Sequence, residues 1–292
     1  MPNIWLAYIC YGVFVGFAIA CGYVPMVAIV GGWFDRHRTL ALGASVAGIG
    51  LGTLVATPVA AALIAATSWR TAFIIFAIAG SGLLAVVAIV ITPGPASEPA
   101  PQRRPLRELW QILDFRILFL STLFVSFGLF VPFVFIAPFA EERGSTAFAA
   151  ALLVGLIGGS SVVGRLAISG IANRFGTGRL YRICFLVMAA SLLIWLLGGD
   201  SYGALVVFAI AFGAGYGGFI ALSPAVAATR FGLKGLGGLL GTLYSAAGIG
   251  SLGGPPLAGW IIDASGYTAA ILFATAAALI GWALLFRLEL AE

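Results

Sequence analysis

Nine apolar segments, most of them 20 residues or longer, make up most of this sequence and constrain its fold more than any other feature. Such a segment is long enough to cross the hydrocarbon core of a bilayer as an α-helix. Because a backbone in lipid must satisfy its own hydrogen bonds, helices are the predicted structure throughout. We therefore predict an all-α membrane protein with about nine transmembrane helices, near residues 4–31, 39–66, 69–92, 115–140, 146–172, 181–198, 202–229, 236–262 and 267–288.

Composition argues against a soluble enzyme and against a nucleic-acid-binding protein. Hydrophobic residues make up 62% of the chain and charged residues only 9%, whereas soluble domains have roughly 25% charged residues. The net charge of +5 comes from basic residues scattered between the apolar segments. The sequence has no P-loop, no GxSxG motif and no metal-ligand spacing. We expect no catalysis, no cofactor, no metal and no nucleic-acid partner, and we expect a monomer embedded in the lipid bilayer.

The basic residues predict the orientation in the membrane. If the connections between helices are taken alternately, one set contains twelve Lys and Arg residues, and the other set contains only Arg70 and Arg143. Cytoplasmic loops carry an excess of Lys and Arg, so the richer set is expected inside the cell. This predicts a multi-pass protein of the plasma or inner membrane with a cytoplasmic C-terminus and an N-terminus outside. The richer set comprises Arg36, Arg38, Arg103, Arg104, Arg107, Arg116, Arg174, Arg179, Arg182, Arg230, Lys234 and Arg287.

One long polar connection, residues 93–114, divides the chain into three predicted helices within 1–92 and six within 115–292. The segment SVAGIG at 45–50 recurs as SAAGIG at 245–250, and Pro58 recurs as Pro255. Both copies have the same sidedness, as in the parallel repeat that relates the two halves of major facilitator transporters. The first three helices therefore look like a copy of the last three. On this interpretation the chain is a 6+6 transporter without its first three helices.

Several motifs resemble one branch of that superfamily, the monocarboxylate transporter-like carriers, which also includes exchangers of the oxalate/formate type. They are WFDRHRTLALG at 33–43, AGIGLG at 47–52 and SWRTAF at 68–73, which are similar to the family's fourth to sixth helices. The resemblance implies a secondary active transporter of a small organic anion that works by alternating access. The segment GIANRFG at 170–176 resembles the superfamily's cytoplasmic gate signature, although Asn173 stands where an acid is usual. The implied gate residues are Asp35, Arg36, Asn173 and Arg174.

Arg165 is the only residue with a charged side chain deep within an apolar segment. It precedes Asn173 by eight residues, which places it ~12 Å below the cytoplasmic surface. An arginine within the membrane is by default a functional-site hypothesis, and its planar fork suits a carboxylate. The resemblance adds that carriers of this type have an arginine at the matching place in their eighth helix. We predict that Arg165 binds the substrate, with Tyr23, Tyr244, Ser245 and Ser161 as further substrate-site candidates and Tyr216 as a wall residue.

At two positions the sequence differs from the pattern of the family, and these differences bear on the charge of the predicted substrate. Ser161 stands where monocarboxylate carriers often have an aspartate, and Ala247 stands where oxalate-type exchangers have a lysine. Without that second cation, a singly charged carboxylate is easier to bind than a doubly charged one. Two alternatives remain open at this point. The chain could be a facilitator for another solute class, a drug or a sugar, in which Arg165 is structural, or a truncated membrane protein that transports nothing.

Overall fold

The computed structural model describes residues 8–18, 30, 33, 38–90, 106–232 and 236–288. Most of these residues are helical and none is in a strand, which confirms the predicted all-α fold for the described part of the chain. A π-helical segment at Tyr8–Phe14 comes first, and a 3-10 turn at Leu285–Arg287 comes last. The α-helices are α1 (Arg38–Ala66), α2 (Trp69–Val90), α3 (Leu106–Gln111), α4 (Leu113–Leu129), α5 (Val131–Glu142), α6 (Ala147–Phe175), α7 (Thr177–Gly198), α8 (Tyr202–Phe231) and α9 (Leu236–Leu284).

Seven segments of the described chain are long and apolar enough to cross a membrane. The last contains two spans, because Gly266 interrupts α9 with a φ of 82° between the predicted helices at 236–262 and 267–288. Glycine adopts such a positive φ without the steric penalty of a side chain. Eight of the predicted spans are therefore present. The remaining one, at 4–31, lies mostly outside the described residues, so the count of nine is not confirmed.

The fourth predicted span, 115–140, is two helices rather than one. Helix α4 ends at Leu129, and α5 begins at Val131 after the turn residue Phe130. Pro132 occupies one of the first two positions of α5. The first backbone N–H groups of a helix have no partner within the helix, so proline, which has no N–H, is tolerated there. Its ring clashes with the carbonyl four residues earlier, so it ends a helix that precedes it. Pro132 therefore explains a break that hydropathy does not reveal.

The predicted linker is not entirely irregular. Its described part contains α3, a short helix whose Leu109 is buried. Trp110 contacts Phe119 of α4 edge-on, with ring centroids 4.9 Å apart. The end of the linker is thus packed onto the helices that follow it.

Helices α4 to α9 pack around one continuous apolar core. Glycines allow α9 to lie directly on α4: a Cβ added to Gly250 would lie 2.6 Å from the Cβ of Ser126, and one added to Gly281 would lie 2.8 Å from the carbonyl oxygen of Ser121. Such close backbone approach is how helices associate in lipid, where no hydrophobic drive brings them together. This six-helix unit is the body on which Arg165 is placed.

Helix α1 packs along α6, whereas α2 contacts little else in the described chain. Every side chain of α2 is described, and only Ala72 is buried. Its other apolar side chains are exposed except for the half-buried Val87, and Ile89 is exposed by 84%. In a membrane such a surface faces acyl chains or other helices rather than water. Of the N-terminal helices in the described chain, α1 is therefore the one that packs on α6, the helix that contains Arg165.

Polar contacts join the helix ends at both faces of the six-helix unit. At one end Arg230 pairs with Asp114 at 2.6 Å, and Arg182 donates to the carbonyl oxygens of Leu285 and Leu288. At the other end Arg143 pairs with Asp200 at 3.0 Å. Exposed pairs of this kind contribute only ~0–1 kcal/mol each. They define the two ends of the bundle more than they stabilise it.

Candidate functional site

Helix α6 places Arg165 inside the protein. Thr146 begins the helix by accepting a hydrogen bond from the backbone N–H of Ala149 at 3.2 Å, and Gly176 ends it with a φ of 83°. Arg165 lies between these ends and has no exposed surface. Among the residues that the structure describes, it is the one charged side chain that is buried. A charge at this depth requires polar or aromatic partners.

Arg165 lies between two other helices. Its Nη1 donates a hydrogen bond to the backbone carbonyl oxygen of Val46 on α1. On the other side, its guanidinium carbon lies 5.7 Å from the ring centroid of Tyr216 on α8. Cations within about 6 Å of an aromatic centroid are attracted by the ring's quadrupole. The arginine therefore joins α1, which precedes the linker, to the bundle that follows it.

Missing side chains allow α1 to approach α6 this closely. A Cβ added to Gly50 of α1 would lie 2.5 Å from the carbonyl oxygen of Gly158 and 2.7 Å from Oγ of Ser161, both on α6. A Cβ added to Gly158 would lie 2.6 Å from the Cβ of Thr53. Neither position can take a larger residue unless the two helices move apart. We call this contact, formed by Gly50, Thr53, Gly158 and Ser161, the glycine seam.

The opposite side of α6 packs on α8 in the same manner. A Cβ added to Gly164 would overlap the carbonyl oxygen of Ala214, and one added to Gly217 would overlap the carbonyl oxygen of Ser161. Gly164 sets the distance between α6 and α8, and Arg165 is the next residue. Gly164 therefore also determines how far Arg165 lies from Tyr216 on α8.

Aromatic rings form the wall beside the arginine. Tyr216 is half-buried, and Phe133 of α5 meets it edge-on with ring centroids 5.5 Å apart. Phe133 also contacts Phe212, one turn before Tyr216, at 6.4 Å. Ring edges are positive and ring faces negative, so these contacts orient Tyr216. A buried cation and an aromatic surface therefore lie side by side at this point of the bundle.

The other predicted substrate residues occupy different environments. Ser161 is fully buried in the glycine seam, where its Oγ donates to the carbonyl oxygen of Gly158 at 2.7 Å. On α9, Tyr244 is half-buried, and Ser245 is exposed with its Oγ donating to the carbonyl oxygen of Thr242 at 2.7 Å. Tyr23 lies outside the described residues. In this conformation the hydroxyls of Ser161 and Ser245 bond to their own helices.

The predicted gate residues are only partly described. Asp35 and Arg36 lie outside the described residues, and for Asn173 the helical backbone alone is described. Arg174 is exposed in the last turn of α6, with its guanidinium carbon 5.6 Å from the ring centroid of Phe175. A cation there interacts favourably with the negative end of the helix dipole.

Reasoning from the sequence identified Arg165 and named Tyr216, but it did not identify Val46 or Phe133. The contribution of Val46 is a backbone carbonyl, and no residue type signals it. Phe133 is one of 22 phenylalanines, so its identity alone does not distinguish it. Within the described residues, no group of three or more His, Cys, Asp or Glu side chains could hold a metal ion.

Known proteins place this architecture in a family. The profile of the Major Facilitator Superfamily matches residues 1–201 and again 118–292, so the two matches together span the chain. The solved structure of FucP, a transporter of that superfamily in the outward conformation, aligns with a TM-score of 0.55 and 20% identity. The alignment covers 76% of this chain and 55% of FucP. At this identity the similarity concerns the fold.

Relatives in sequence carry a more specific name. Monocarboxylate transporter 12 of Rattus norvegicus is 28% identical over 319 residues, which cover 96% of this chain and 64% of the relative. Monocarboxylate transporter 11 of Homo sapiens is 31% identical over 291 residues, covering 91% of this chain and 59% of the relative. The chain thus spans less than two thirds of the length of these relatives. Its relatives and its fold are those of multi-pass membrane transporters rather than of enzymes, and the chain belongs to the Major Facilitator Superfamily.

Proposed function

We propose that this chain takes part in secondary transport of a small organic anion with one carboxylate, and that Arg165 binds the carboxylate. The observation behind the proposal is a fully buried arginine between α1 and α8, beside an aromatic wall. In carriers of this superfamily, transport proceeds by rocking two bundles around a site near the midplane. Arg165 lies where the helices before and after the linker meet.

The energetics of a buried charge support this role. A charged side chain at a helix centre costs about 2.5–3.5 kcal/mol even on the lenient insertion scale. The hydrogen bond to the carbonyl of Val46 and the ring of Tyr216 contribute to offsetting this cost. A carboxylate would offset more, because a bidentate pair of ionised groups is roughly twice as strong as a neutral hydrogen bond.

Charge count favours a monocarboxylate over a dicarboxylate. Arg165 is the one buried cation within the described residues. Position 247, which by resemblance corresponds to the second cation of oxalate-type exchangers, is alanine. A second carboxylate in this low-dielectric region would meet no buried counter-charge from the described part of the chain, which is costly. The relatives named monocarboxylate transporters 11 and 12 agree with this preference.

One observation favours the alternative, a facilitator for a neutral solute in which Arg165 is structural. The arginine already donates to Val46 and lies against Tyr216, so it has partners without any substrate. Transport of an organic anion predicts that a carboxylate binds more tightly than an uncharged ligand of the same shape. Transport of a neutral solute does not predict this difference in affinity.

A pair of matched ligands tests the proposal. We expect the chain, purified into lipid nanodiscs, to bind propionate at least ~10-fold more tightly than propionamide, because a hydrogen bond to a charged group is worth about 1.5–3 kcal/mol. Malonate is expected to bind more weakly than propionate. Binding would be measured by thermal stabilisation over a ligand titration. Equal responses to propionate and propionamide would favour the neutral-solute alternative.

The proposal includes an orientation, with the C-terminus and the 93–114 linker in the cytoplasm. This rests on the twelve basic residues in one set of connections against Arg70 and Arg143 in the other. Reporter domains that are active only inside the cell, fused after Glu292 or inserted within 93–114, are expected to be active in both cases. An insertion between Arg143 and Thr146 is the matched control and should be inactive. The reverse pattern would invert the orientation.

A further inference from the structure

We propose that Arg165 is a latch between the two halves, and that the substrate carboxylate opens it by competing with the carbonyl of Val46. This rests on the proposed function, because it assumes that the ligand of Arg165 is a carboxylate. It adds a coupling step: the group that binds the substrate is the same group that holds α1 against α6. Binding of the substrate carboxylate to Arg165 would then itself release α1 from α6.

The first support is geometric. Arg165 has no exposed surface, and its Nη1 is bonded to a backbone atom of α1. The guanidinium therefore cannot receive a carboxylate in this conformation without a displacement of neighbouring atoms. Tyr216 lies on α8, which is fixed to α6 by the Gly164 and Gly217 contacts. Within the described chain, α1 contacts α6 far more than any other helix, so release of the Val46 carbonyl acts on the position of α1 relative to α6.

The second support is energetic. The bond from Arg165 to Val46 joins a charged donor to a neutral acceptor, whereas a carboxylate would offer two charged acceptors to the same fork. In an α-helix the Val46 carbonyl also accepts from the N–H of Gly50. It therefore keeps a hydrogen-bond partner when Arg165 leaves. The exchange replaces a weaker bond with a stronger pair and leaves the carbonyl satisfied.

The glycine seam controls how closely Val46 approaches Arg165. Gly50 lies one helical turn after Val46 and touches Gly158 and Ser161, so its missing side chain brings the Val46 carbonyl within reach of α6. Gly48, two residues earlier, has no atom within 4 Å of an added Cβ. The two positions provide a variant that weakens the latch and a control that does not, and neither variant changes Arg165.

A latch of this kind has a distinctive consequence. A ligand that binds only the open state has an apparent affinity reduced by the fraction of molecules that are open. Weakening the latch without touching Arg165 should therefore raise the affinity for a carboxylate. A residue that only supports the fold would lower the affinity or leave it unchanged when it is altered.

The experiment compares Gly50→Ala and Gly48→Ala in the full chain, in a background where Cys10, Cys21 and Cys184 are replaced by alanine. Spin labels on cysteines introduced at Ala44 and Phe175, two exposed positions on α1 and α6, report the separation of the helices. Propionate is the ligand and propionamide the control. Gly158→Ala, which alters the seam from the other helix, is a second test if Gly50→Ala does not fold.

We expect propionate, but not propionamide, to shift the label distances towards a longer component in the unaltered chain. Gly50→Ala should show this component without ligand and bind propionate about 10-fold more tightly, as expected for loss of a bond to a charged group. Gly48→Ala should match the unaltered chain. Propionate binding without a distance change, or unchanged affinity in a folded Gly50→Ala chain, would overturn the latch alone. Absence of propionate binding in the unaltered chain would contradict the proposed function, and the latch mechanism that rests on it would fail as well.

Discussion

Replacing Arg165 with methionine is expected to weaken propionate binding at least ~30-fold, because removing one partner of a desolvated charge pair costs about 2–5 kcal/mol. Methionine keeps much of the length and apolar contact of the side chain but has no charge and no donor. Tyr216 and Phe133 would still offer an apolar surface. Propionamide binding should therefore change little, and discrimination between the two ligands should disappear.

Lysine at the same position separates charge from geometry. Arg165→Lys retains the charge but replaces a planar fork with a single ammonium group. We expect intermediate binding of propionate, weaker than in the unaltered chain and stronger than in Arg165→Met. Arg116, which is exposed on α4, provides a matched control: Arg116→Met makes the same charge change at a site without burial. Its binding should equal that of the unaltered chain.

Protein stability distinguishes this outcome from misfolding. Removing a buried charge together with its desolvation cost is often neutral or stabilising when an apolar residue of similar volume replaces it. We expect Arg165→Met to unfold at the same temperature as the unaltered chain or higher. Full propionate affinity in a folded Arg165→Met chain would exclude the arginine from substrate binding and leave it the structural role of the neutral-solute alternative.

Hydropathy was sufficient to predict most of the helical architecture. Eight spans are found where apolar segments of suitable length occur, because a backbone in lipid has few alternatives to the helix. The division at Phe130 was not predicted, since it depends on a proline at the start of the next helix and leaves the hydropathy of the segment unchanged. The boundary between the last two predicted helices was correct: Gly266 interrupts α9 between them.

The candidate site was predicted only in part, for a physical reason. A charged residue within an apolar segment is visible in the sequence, and Arg165 is indeed buried. Its acceptor is a main-chain carbonyl, and every residue has one, so Val46 could not be singled out. Ser161 was predicted because it stands where the resembling carriers often have an aspartate, yet that resemblance does not determine whether a hydroxyl bonds to a ligand or to its own helix. In this conformation it bonds to Gly158.

The internal repeat acquires a physical meaning in the packing. Gly50 and Gly250 are equivalent in the repeated segment, and each is a point where its helix touches another, α6 in one case and α4 in the other. Gly48 and Gly248 are also equivalent, and both have open space around an added Cβ. The two copies thus use the same glycine for close contact. Whether the whole three-helix units superpose stays a prediction, because the first helix lies mostly outside the described residues.

The glycines of α6 lead to the last prediction, for which the helix supplies its own control. A Cβ added to Gly164 would overlap the carbonyl oxygen of Ala214 and lie 2.8 Å from its Cα, and neither backbone atom can rotate away. Gly170, later on the same helix, has nothing within 4 Å of an added Cβ.

We expect Gly164→Ala to lower the free energy of unfolding by about 1–3 kcal/mol, the usual cost of overpacking a close contact. Gly170→Ala should be neutral or stabilising by up to ~1 kcal/mol, because alanine favours the helix. Since Arg165 follows Gly164, separating α6 from α8 also moves the guanidinium away from Tyr216. Gly164→Ala should then lose propionate affinity, whereas Gly170→Ala should retain it. Thermal unfolding and ligand titration of both variants measure the two effects together, and equal behaviour of the two alanines would show that α6 and α8 are not held at the distance on which the site depends.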